Sequence, residues 1–393
     1  MQAIRSKLYT EAVIPRATRA ATGIDWYSFL ERPRLPSPAL DLLQQLRDAS
    51  ILVTGAGGSI GSALSLRLAA LHPRKLILLD ASEQSLYRLQ TNLASAEPTR
   101  NGPTAHVRCI LGNISDAPHL AEIFATHQPE FVFHAAAHKH VALLEENPIE
   151  AIANNALGTL ALAECADRFR VRRIILLSTD KAAGPISILG ASKRIAERIT
   201  LVNGGLVLRL ANVLGTEGSV VETFLHQIAA RNPVTITDAA AERYFLTLEE
   251  AVDLLLTSAI TPRAGSLLVP YLERQYSIVS LAEFLISISP RETKPRISII
   301  SLRPGDKTSE ALWSSDERAE PDKQNGYFEV SSEDPGLSLL QRDLVRLKES
   351  VGDRNLPHAM EAVLALVPSY QPSASITALL QQTKEAQVGT TRP

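Results

Sequence analysis

The feature that most constrains the fold is a glycine-rich turn between a short apolar strand and a helical pattern. Residues 51–54 form a β-branched and aliphatic run typical of a buried parallel strand, and residues 55–61 follow with glycines at the first, fourth and seventh positions. Such glycines permit a tight turn and let a pyrophosphate approach the backbone at the positive N-terminus of the next helix. The pattern predicts the first βα unit of a Rossmann-like sheet, although a glycine triplet alone also occurs in an ordinary strand-to-helix turn.

A second apolar run, residues 75–79, ends in an acid. Asp80 lies roughly twenty residues after the glycines, where an acid can bind both ribose hydroxyls of a dinucleotide. A carboxylate there would repel a 2′-phosphate, so Asp80 favours NAD over NADP as the cofactor. The alternative for Asp80 is a solvated strand end.

The later apolar runs predict a doubly wound α/β fold. Strands are predicted at residues 107–111, 131–134, 173–177 and 206–210, and helices at residues 82–93, 118–126 and 149–169. This alternation is typical of a Rossmann-like doubly wound parallel sheet. Beyond the last of these strands it breaks up into shorter elements, which predicts a smaller C-terminal substrate-binding lobe.

The same pattern divides the chain into four parts. They are an N-terminal arm and linker (1–48), an NAD-binding Rossmann domain (49–212), a segment that is mainly substrate lobe with late Rossmann elements (213–330), and a C-terminal helical extension and tail (331–393). We expect the polar residues 316–326 to form a surface loop and the tail from about Thr383 to fray.

Charge and cysteine content narrow the range of partners. The formal net charge of −2 argues against a surface for nucleic acid or anionic membrane. Cys109 and Cys165 lack metal-ligand spacing, so no metal site is expected. No apolar stretch reaches the roughly eighteen residues of a membrane-spanning helix, and the N-terminus has no signal-peptide pattern. We therefore expect a soluble cytoplasmic protein with no membrane span.

The chemistry is predicted to lie in residues 178–181, Ser-Thr-Asp-Lys, which follow the strand at 173–177. Ligand sites in such sheets lie at the carboxyl ends of the strands. A short-chain dehydrogenase, whose fingerprint has the glycine spacing seen here, would carry Tyr-x-x-x-Lys, and this chain has Leu189 and Lys193 at those positions. Without the phenol another acid and base must act, which moves the expected chemistry from oxidation toward elimination. The alternative for this charged run is a solvated loop, and for Lys193 a surface position.

Eight blocks of sequence, in order, resemble the signature blocks of the CapD-like polysaccharide-biosynthesis proteins. These are extended short-chain dehydrogenases typified by UDP-N-acetylglucosamine 4,6-dehydratases. The resemblance runs from about Asp25 to Ser373, and its blocks are residues 54–62, 134–141, 143–148, 178–182, 190–194, 212–215, 243–245 and 303–307. Several members carry membrane-spanning helices before the catalytic domain, and residues 32–36 resemble the linker after those helices. The resemblance therefore implies a soluble, shortened member of the family.

The resemblance also implies a mechanism. In such a dehydratase a hydride passes from sugar C4 to NAD⁺, the new ketone acidifies the C5 hydrogen, water leaves from C6, and the hydride returns to C6. The implied roles are protonation of the C6 leaving group by Asp180, abstraction of the C5 proton by Lys181 and acceptance of the O4 proton by Thr179, directly or through water. Lys193 would bind the nicotinamide ribose. Lys181 must then be neutral, and we expect a nearby nicotinamide cation and partial desolvation to lower its pKa.

The implied binding residues complete this picture. The cofactor contacts are Gly55, Gly58, Ser59, Ile60, Gly61, Asp80, Asn113, Ile114, Ala135, Ala136 and Lys193. Because Asn113 replaces the family's Asp beside adenine, we expect a modest loss of affinity. The substrate contacts are Lys139 near the sugar, Asn212 at the mouth of the site, Arg243 and Arg303 on the diphosphate, and Glu310 on the uridine ribose. A surface or structural role is the alternative for each substrate contact.

Together these features predict an NAD-dependent nucleotide-sugar 4,6-dehydratase with a UDP-sugar substrate, UDP-N-acetylglucosamine in the first place, for surface-glycan synthesis. A 4-epimerase or a C5-inverting dehydratase would use the same 4-keto intermediate. A catalytically weakened NAD-binding regulatory protein is a third alternative, because Leu189 is either a tolerated neighbour of the nicotinamide or a sign of weakened catalysis. A homo-oligomer is an expectation by analogy with the family.

Overall fold

The computed structural model of the chain describes residues 23–39, 43–96, 106–261, 264–290, 294–301, 304–332 and 337–389. Its strands, in chain order, are β1 Ser50–Thr54, β2 Lys75–Asp80, β3 His106–Leu111, β4 Phe131–His134, β5 Arg173–Thr179, β6 Leu206–Leu210, β7 Asn212–Val213, β8 Val234–Ile236, β9 Glu242–Arg243, β10 Phe245–Leu246, β11 Leu267–Pro270, β12 Tyr276–Ser277, β13 Ile297–Ile299, β14 Glu317–Asp322 and β15 Tyr327–Ser332.

The helices lie between and after these strands. They are α1 Trp26–Leu30, α2 Gln44–Arg47, α3 Ser59–Ala69, α4 Glu83–Ala96, α5 Ala117–His127, α6 Val141–Glu146, α7 Pro148–Ala151, α8 Gly158–Arg168, α9 Ile188–Val202, α10 Val220–Ala230, α11 Leu248–Ile260, α12 Ile278–Ile288, α13 Leu337–Gly352, α14 Leu356–Leu366 and α15 Ala374–Gly389. A π-helical segment, Ile152–Leu157, joins α7 to α8, and a single 3₁₀ turn, Asp180–Ala182, follows β5.

Nine strands form the main sheet in the order β14-β15-β11-β6-β5-β4-β1-β2-β3. Strands β1 to β6 and β11 pair in parallel, β15 pairs antiparallel with β11, and β14 pairs antiparallel with β15. Helices connect the parallel strands, as the alternation of the sequence indicates. The predicted Rossmann-like doubly wound sheet is confirmed.

Strand β1 illustrates why the sheet is parallel and covered on both faces. Its residues are all buried, and successive side chains point to opposite faces. Ile51 and Val53 belong to the largest apolar cluster, whereas Leu52 belongs to a separate cluster that includes Leu120 and Phe124 of α5. An uninterrupted apolar strand therefore fits only a layer with helices on each side.

The C-terminal helices cover the helix that follows the predicted catalytic run. Apolar residues of α13, α14 and α15 form one buried cluster with residues of α9 and of the π-helical segment. Leu189 belongs to this cluster and is 4% exposed. The side chain at the position of the missing tyrosine is thus a core residue.

Two local predictions are wrong. The segment expected to be a surface loop, residues 316–326, contains β14, because a strand at the sheet edge can be polar when few of its side chains meet the core. The tail expected to fray is helical up to Gly389. The predicted N-terminal arm lies outside the described residues up to residue 22, and the four-part division of the chain stays a prediction.

The expected absence of a membrane span was tested on the described residues alone. No helix in that part of the chain combines the length and the apolar character needed to cross a bilayer.

Candidate active site

The glycine turn lies where β1 approaches the end of β4. Gly55 has a φ of 65°, and a Cβ on it would lie 2.5 Å from the backbone nitrogen of Ala136. A Cβ on Gly61 would lie 2.0 Å from the carbonyl oxygen of Gly55. Both positions therefore exclude a side chain on steric grounds. Gly58 caps α3 without any side-chain hydrogen bond, which leaves the first-turn N–H groups of α3 directed at the turn.

Asp80 closes the same turn from β2. Its carboxylate accepts hydrogen bonds from the backbone N–H of Gly57 and of Ser82, each at 2.8 Å. A carboxylate has about four acceptor positions, so Asp80 can also accept from ribose hydroxyls. Asn113 accepts from the N–H of Ser115 at 2.9 Å. This turn and its neighbours fit a dinucleotide.

The other predicted cofactor residues lie around this cradle. Ser59 accepts a hydrogen bond from the N–H of Glu217 at 2.9 Å, and Ile60 packs against the largest apolar cluster. Ile114 is buried, and its side chain packs so closely on Gly158 that a Cβ added there would lie 2.8 Å from it. Ala135 and Ala136 follow β4 and form the wall against Gly55. The backbone of Glu217, which the sequence did not single out, therefore reaches the start of α3.

A buried histidine fixes the two strands beside the turn. His134 lies between the hydroxyls of Thr54 at 2.7 Å and Thr159 at 3.0 Å. Burial, with the nearby charge of Lys193, lowers the pKa of His134 to about 3. The ring is therefore neutral and joins β1, β4 and α8.

The predicted catalytic run lies at the carboxyl end of β5. The Thr179 hydroxyl donates to Asp180 Oδ1 at 3.1 Å, and Lys181 Nζ donates to the same oxygen at 2.9 Å. Asp180 is fully buried, and its Oδ2 has no hydrogen-bond partner among the residues that the structure describes. A buried carboxylate oxygen in this state can bind a ligand hydroxyl.

Two further predicted residues meet Lys181. The Oδ1 of Asn212 lies 3.5 Å from Lys181 Nζ, and Glu310 Oε1 lies 3.5 Å from the same nitrogen. Burial alone would lower the pKa of Lys181, but the carboxylates of Asp180 and Glu310 outweigh it and the pKa is raised. This direction is opposite to the lowered pKa expected from the sequence, because two carboxylates flank the amine.

Lys193 has the opposite electrostatic environment. Its Nζ donates to the carbonyl of Leu177 at 2.7 Å, and the residue is 3% exposed. Burial lowers the pKa of Lys193 to about 8, although Glu197 acts against this. Lys193 therefore lies beneath the end of β5, within the same region as the catalytic run.

A buried charge network that sequence reasoning missed supports this end of β5. Ser178 Oγ donates to Glu197 at 2.6 Å, and Arg209 pairs with Glu197 at 2.7 Å and with Glu317 at 2.9 Å. Arg194 donates to Glu317 as well. The signal was available, because an arginine inside the apolar strand β6 must find buried acids.

The remaining predicted substrate residues are Lys139, Arg243 and Arg303. Lys139 donates to the carbonyl of Glu217. Arg243 donates to the carbonyls of Lys307 at 2.6 Å and Thr308 at 2.8 Å, so it supports the loop that precedes Glu310. Arg303 lies outside the described residues. The structure thus brings Asn212 and Glu310 to the predicted catalytic run.

A cavity of about 370 Å³ lies beside Glu310. It is lined by Tyr244, Gln275, Ser309, Glu310, Ala311, Leu312 and Trp313. Its size is in the range of small-molecule pockets, and its lining combines aromatic surface with a few polar groups. The cavity shares Glu310 with the surroundings of Lys181.

The profile of the polysaccharide biosynthesis protein family matches residues 51–332. The chain belongs to this family. The resemblance inferred from the eight sequence blocks is confirmed. The chain is 37% identical to the capsular polysaccharide biosynthesis protein CapD of Staphylococcus aureus, over 70% of this chain and 46% of that protein. It spans about half the length of CapD and of the probable polysaccharide biosynthesis protein EpsC of Bacillus subtilis, to which it is 36% identical over 70% of this chain and 47% of that protein.

Other relatives match over most of their length. The UDP-glucose 4-epimerase of Rickettsia massiliae is 31% identical over 72% of this chain and 83% of that protein. Among solved structures, Pen from Bacillus thuringiensis has a TM-score of 0.67 at 26% identity, over 73% of this chain and 90% of Pen. The dTDP-glucose 4,6-dehydratase DesIV from Streptomyces venezuelae has a TM-score of 0.58 at 21% identity, over 67% of this chain and 87% of DesIV, and supports the fold alone.

Proposed function

We propose that the protein is an NAD-dependent nucleotide-sugar 4,6-dehydratase that acts on UDP-N-acetylglucosamine for surface-glycan synthesis. The observation that carries the proposal is the cluster at the end of β5. Thr179 and Lys181 both donate to Asp180 Oδ1, while Asp180 Oδ2 is buried without a hydrogen bond in the described part of the chain. Elimination of water needs an acid and a base held next to each other, and this cluster supplies both.

The cradle of the glycine turn supports NAD as the cofactor. A bound nicotinamide supplies hydride transfer between sugar carbons C4 and C6. The N–H groups at the start of α3 would hold the pyrophosphate, and Asp80 would accept from the adenosine ribose and repel a 2′-phosphate. Lys193 would exchange its hydrogen bond to Leu177 for one to the nicotinamide ribose.

The proton steps fall to the three residues of the catalytic run. Thr179 accepts the proton of the sugar O4, directly or through water, and passes its own hydroxyl proton to Asp180 Oδ1 while the ketone forms, which gives the acid form of Asp180. Lys181, as the neutral amine, removes the C5 proton, and Asp180 in its acid form donates a proton to the departing C6 hydroxyl. The Lys181 ammonium then returns a proton to C5 as the hydride reaches C6, which regenerates the neutral amine. Each step needs the group within hydrogen-bond reach of its atom, which the shared contacts at Asp180 Oδ1 favour.

A UDP-sugar 4-epimerase is the second candidate, because relatives of that name match this chain at about 30% identity over most of their length. A C5-inverting dehydratase would share the 4-keto intermediate with both. A weakened NAD-binding regulatory protein is the third candidate. The hydrogen bonds among Thr179, Asp180 and Lys181 count against it, since a binding role alone does not need them.

The deciding experiment is incubation of the purified protein with UDP-N-acetylglucosamine and NAD⁺ in D₂O, followed by proton NMR and mass spectrometry. A 4,6-dehydratase gives loss of water, a new C6 methyl signal and deuterium at C5, whose coupling pattern reports the C5 configuration. An unchanged sugar mass with conversion at C4 would instead identify an epimerase. Absence of turnover with NAD bound would contradict the proposed substrate and support the weakened enzyme.

A further inference from the structure

Glu310 lies between the cavity and the catalytic run. Its Oε1 is 3.5 Å from Lys181 Nζ, and its Oε2 is 3.4 Å from Lys307 Nζ. The residue is 3% exposed, and despite the ion pair with Lys307 its Oε2 makes no hydrogen bond to any described residue. A buried carboxylate oxygen without a hydrogen bond retains a strong preference for a donor.

The same carboxylate lines the cavity. Tyr244 and Trp313 contribute aromatic surface to it, and Gln275 donates to the carbonyl of Glu310 at 3.1 Å and accepts from Ser309 Oγ at 2.9 Å. The chemistry that would satisfy Glu310 Oε2 is a neutral hydroxyl donor, such as one hydroxyl of a vicinal diol, beside a flat ring that stacks on aromatic side chains. A nucleoside combines the two.

Lys181 is surrounded by a small set of charged groups. Asp180 contacts it from its own turn, and Glu310 lies 3.5 Å from it in the loop before β14. Asn212 contributes a neutral oxygen, and the positive charge of Arg243 on β9 also acts on it. Asp180 and Glu310 favour the ammonium form and Arg243 disfavours it. A base that remained between two carboxylates would be a poor acceptor for a C5 proton.

We propose that Glu310 is a positioning residue that couples entry of the nucleoside part of the substrate into the cavity to the release of Lys181. The inference rests on the proposed function. Ligand hydroxyls donate to Glu310 and draw its carboxylate away from Lys181, which then keeps Asp180 as its one carboxylate neighbour. The ammonium loses a proton to solvent, and the neutral amine is formed when the sugar is in place.

The coupling accounts for a conflict between structure and mechanism. The structure raises the pKa of Lys181, whereas the proposed step needs its neutral amine. If Glu310 changes partner, Lys181 loses one of the two carboxylates that favour its ammonium form, which shifts its pKa in the direction that the mechanism needs without any change of fold. A contact of Glu310 with the ribose alone would improve affinity and would leave the protonation of Lys181 unchanged.

The test measures proton release on binding of UDP, which needs no turnover. Isothermal titration calorimetry of the full chain with UDP in buffers of different ionisation enthalpy gives the protons released per nucleotide bound. At about pH 10 we expect the wild type to release on the order of half a proton more than Lys181→Met. Subtracting the proton release of Lys181→Met from that of the wild type cancels any contribution from the titration of the uracil ring.

Variants of Glu310 show whether the Lys181-dependent proton release depends on its carboxylate. Glu310→Gln keeps the size of the side chain and should lose most of the Lys181-dependent release while still binding UDP. Glu310→Asp keeps the charge, retracts it by one methylene, and should show a reduced release, so it serves if Glu310→Gln does not fold. Binding of UDP without Lys181-dependent release would overturn the coupling and leave the proposed function intact. Failure of the wild type to bind UDP would contradict the proposed function, and the coupling would fall with it.

Discussion

The glycine turn and the Asp180–Lys181 cluster lie at the same edge of one sheet, but they are built in opposite ways. The turn is local: seven consecutive residues and a strand end at Asp80 determine its shape, through backbone contacts that admit no side chain at Gly55 or Gly61. The cluster combines adjacent residues with one from far along the chain, since Glu310 lies beyond twelve further strands and helices of the described chain. Local backbone geometry thus sets the shape of the glycine turn. Tertiary contacts contribute to the electrostatic environment of the Asp180–Lys181 cluster.

The largest expected effect separates these two regions directly. Asp180→Asn should lower the rate of water loss by about 10² to 10⁴-fold, because the amide cannot protonate the departing hydroxyl. NAD affinity, measured by calorimetry, should stay unchanged. Asp80→Asn is the matched control, with NAD affinity lowered by about tenfold and near-normal turnover at saturating NAD. Normal turnover in Asp180→Asn would remove Asp180 from the mechanism.

The next effect concerns the buried ion pairs of Arg209 that support the end of β5. Arg209→Met should lower the free energy of unfolding by about 3 to 5 kcal/mol, because Glu197 and Glu317 would remain buried without their main partner. Urea denaturation followed by circular dichroism measures this change. A loss below about 1 kcal/mol would mean that Arg194 alone neutralises the two acids.

A smaller effect tests how closely the backbone packs within the glycine turn. Gly61→Ala should lower the free energy of unfolding by about 1 to 3 kcal/mol and weaken NAD binding, because its Cβ would overlap the carbonyl oxygen of Gly55. Gly58→Ala is the matched variant, since its Cβ would lie 3.4 Å from that oxygen, an ordinary contact. Chemical denaturation of both variants gives the comparison. Equal losses in the free energy of unfolding would show that the backbone at Gly61 has room for a Cβ.

The smallest effect uses Lys193 and Lys181, whose pKa values move in opposite directions. Lys193 has a pKa of about 8 in the folded chain against an ordinary 10.5, so the unfolded chain binds more protons between these values and stability rises with pH there. Between about pH 7.5 and pH 9 we expect a gain of about 1 kcal/mol in the wild type relative to Lys193→Met. Lys181→Met should keep this gain, because the raised pKa of Lys181 leaves it protonated throughout that range. Thermal denaturation across this pH range gives the difference, and its absence would show that Lys193 is not desolvated.

Much of the sheet could be predicted because its strands are continuous apolar runs. Residues 131–134 and 206–210 were predicted with the bounds that the structure has, and Asp80 was predicted at the end of β2. β14 was missed because an edge strand carries no apolar pattern that distinguishes it from a loop. The buried position of Leu189 was also hidden, since the helices that cover it follow nearly 150 residues later.

The sequence by itself determined the Rossmann-like sheet, the glycine cradle and the placement of Thr179, Asp180 and Lys181 at a strand end, because each depends on residues that are neighbours in the chain. Tertiary structure alone decided which second carboxylate lies beside Lys181. Glu310 reaches Lys181 through the folding of the later part of the chain, and its carboxylate joins that of the adjacent Asp180 in raising the pKa of Lys181. Electrostatic interactions act through space over a few ångströms, and no spacing along the chain reports them.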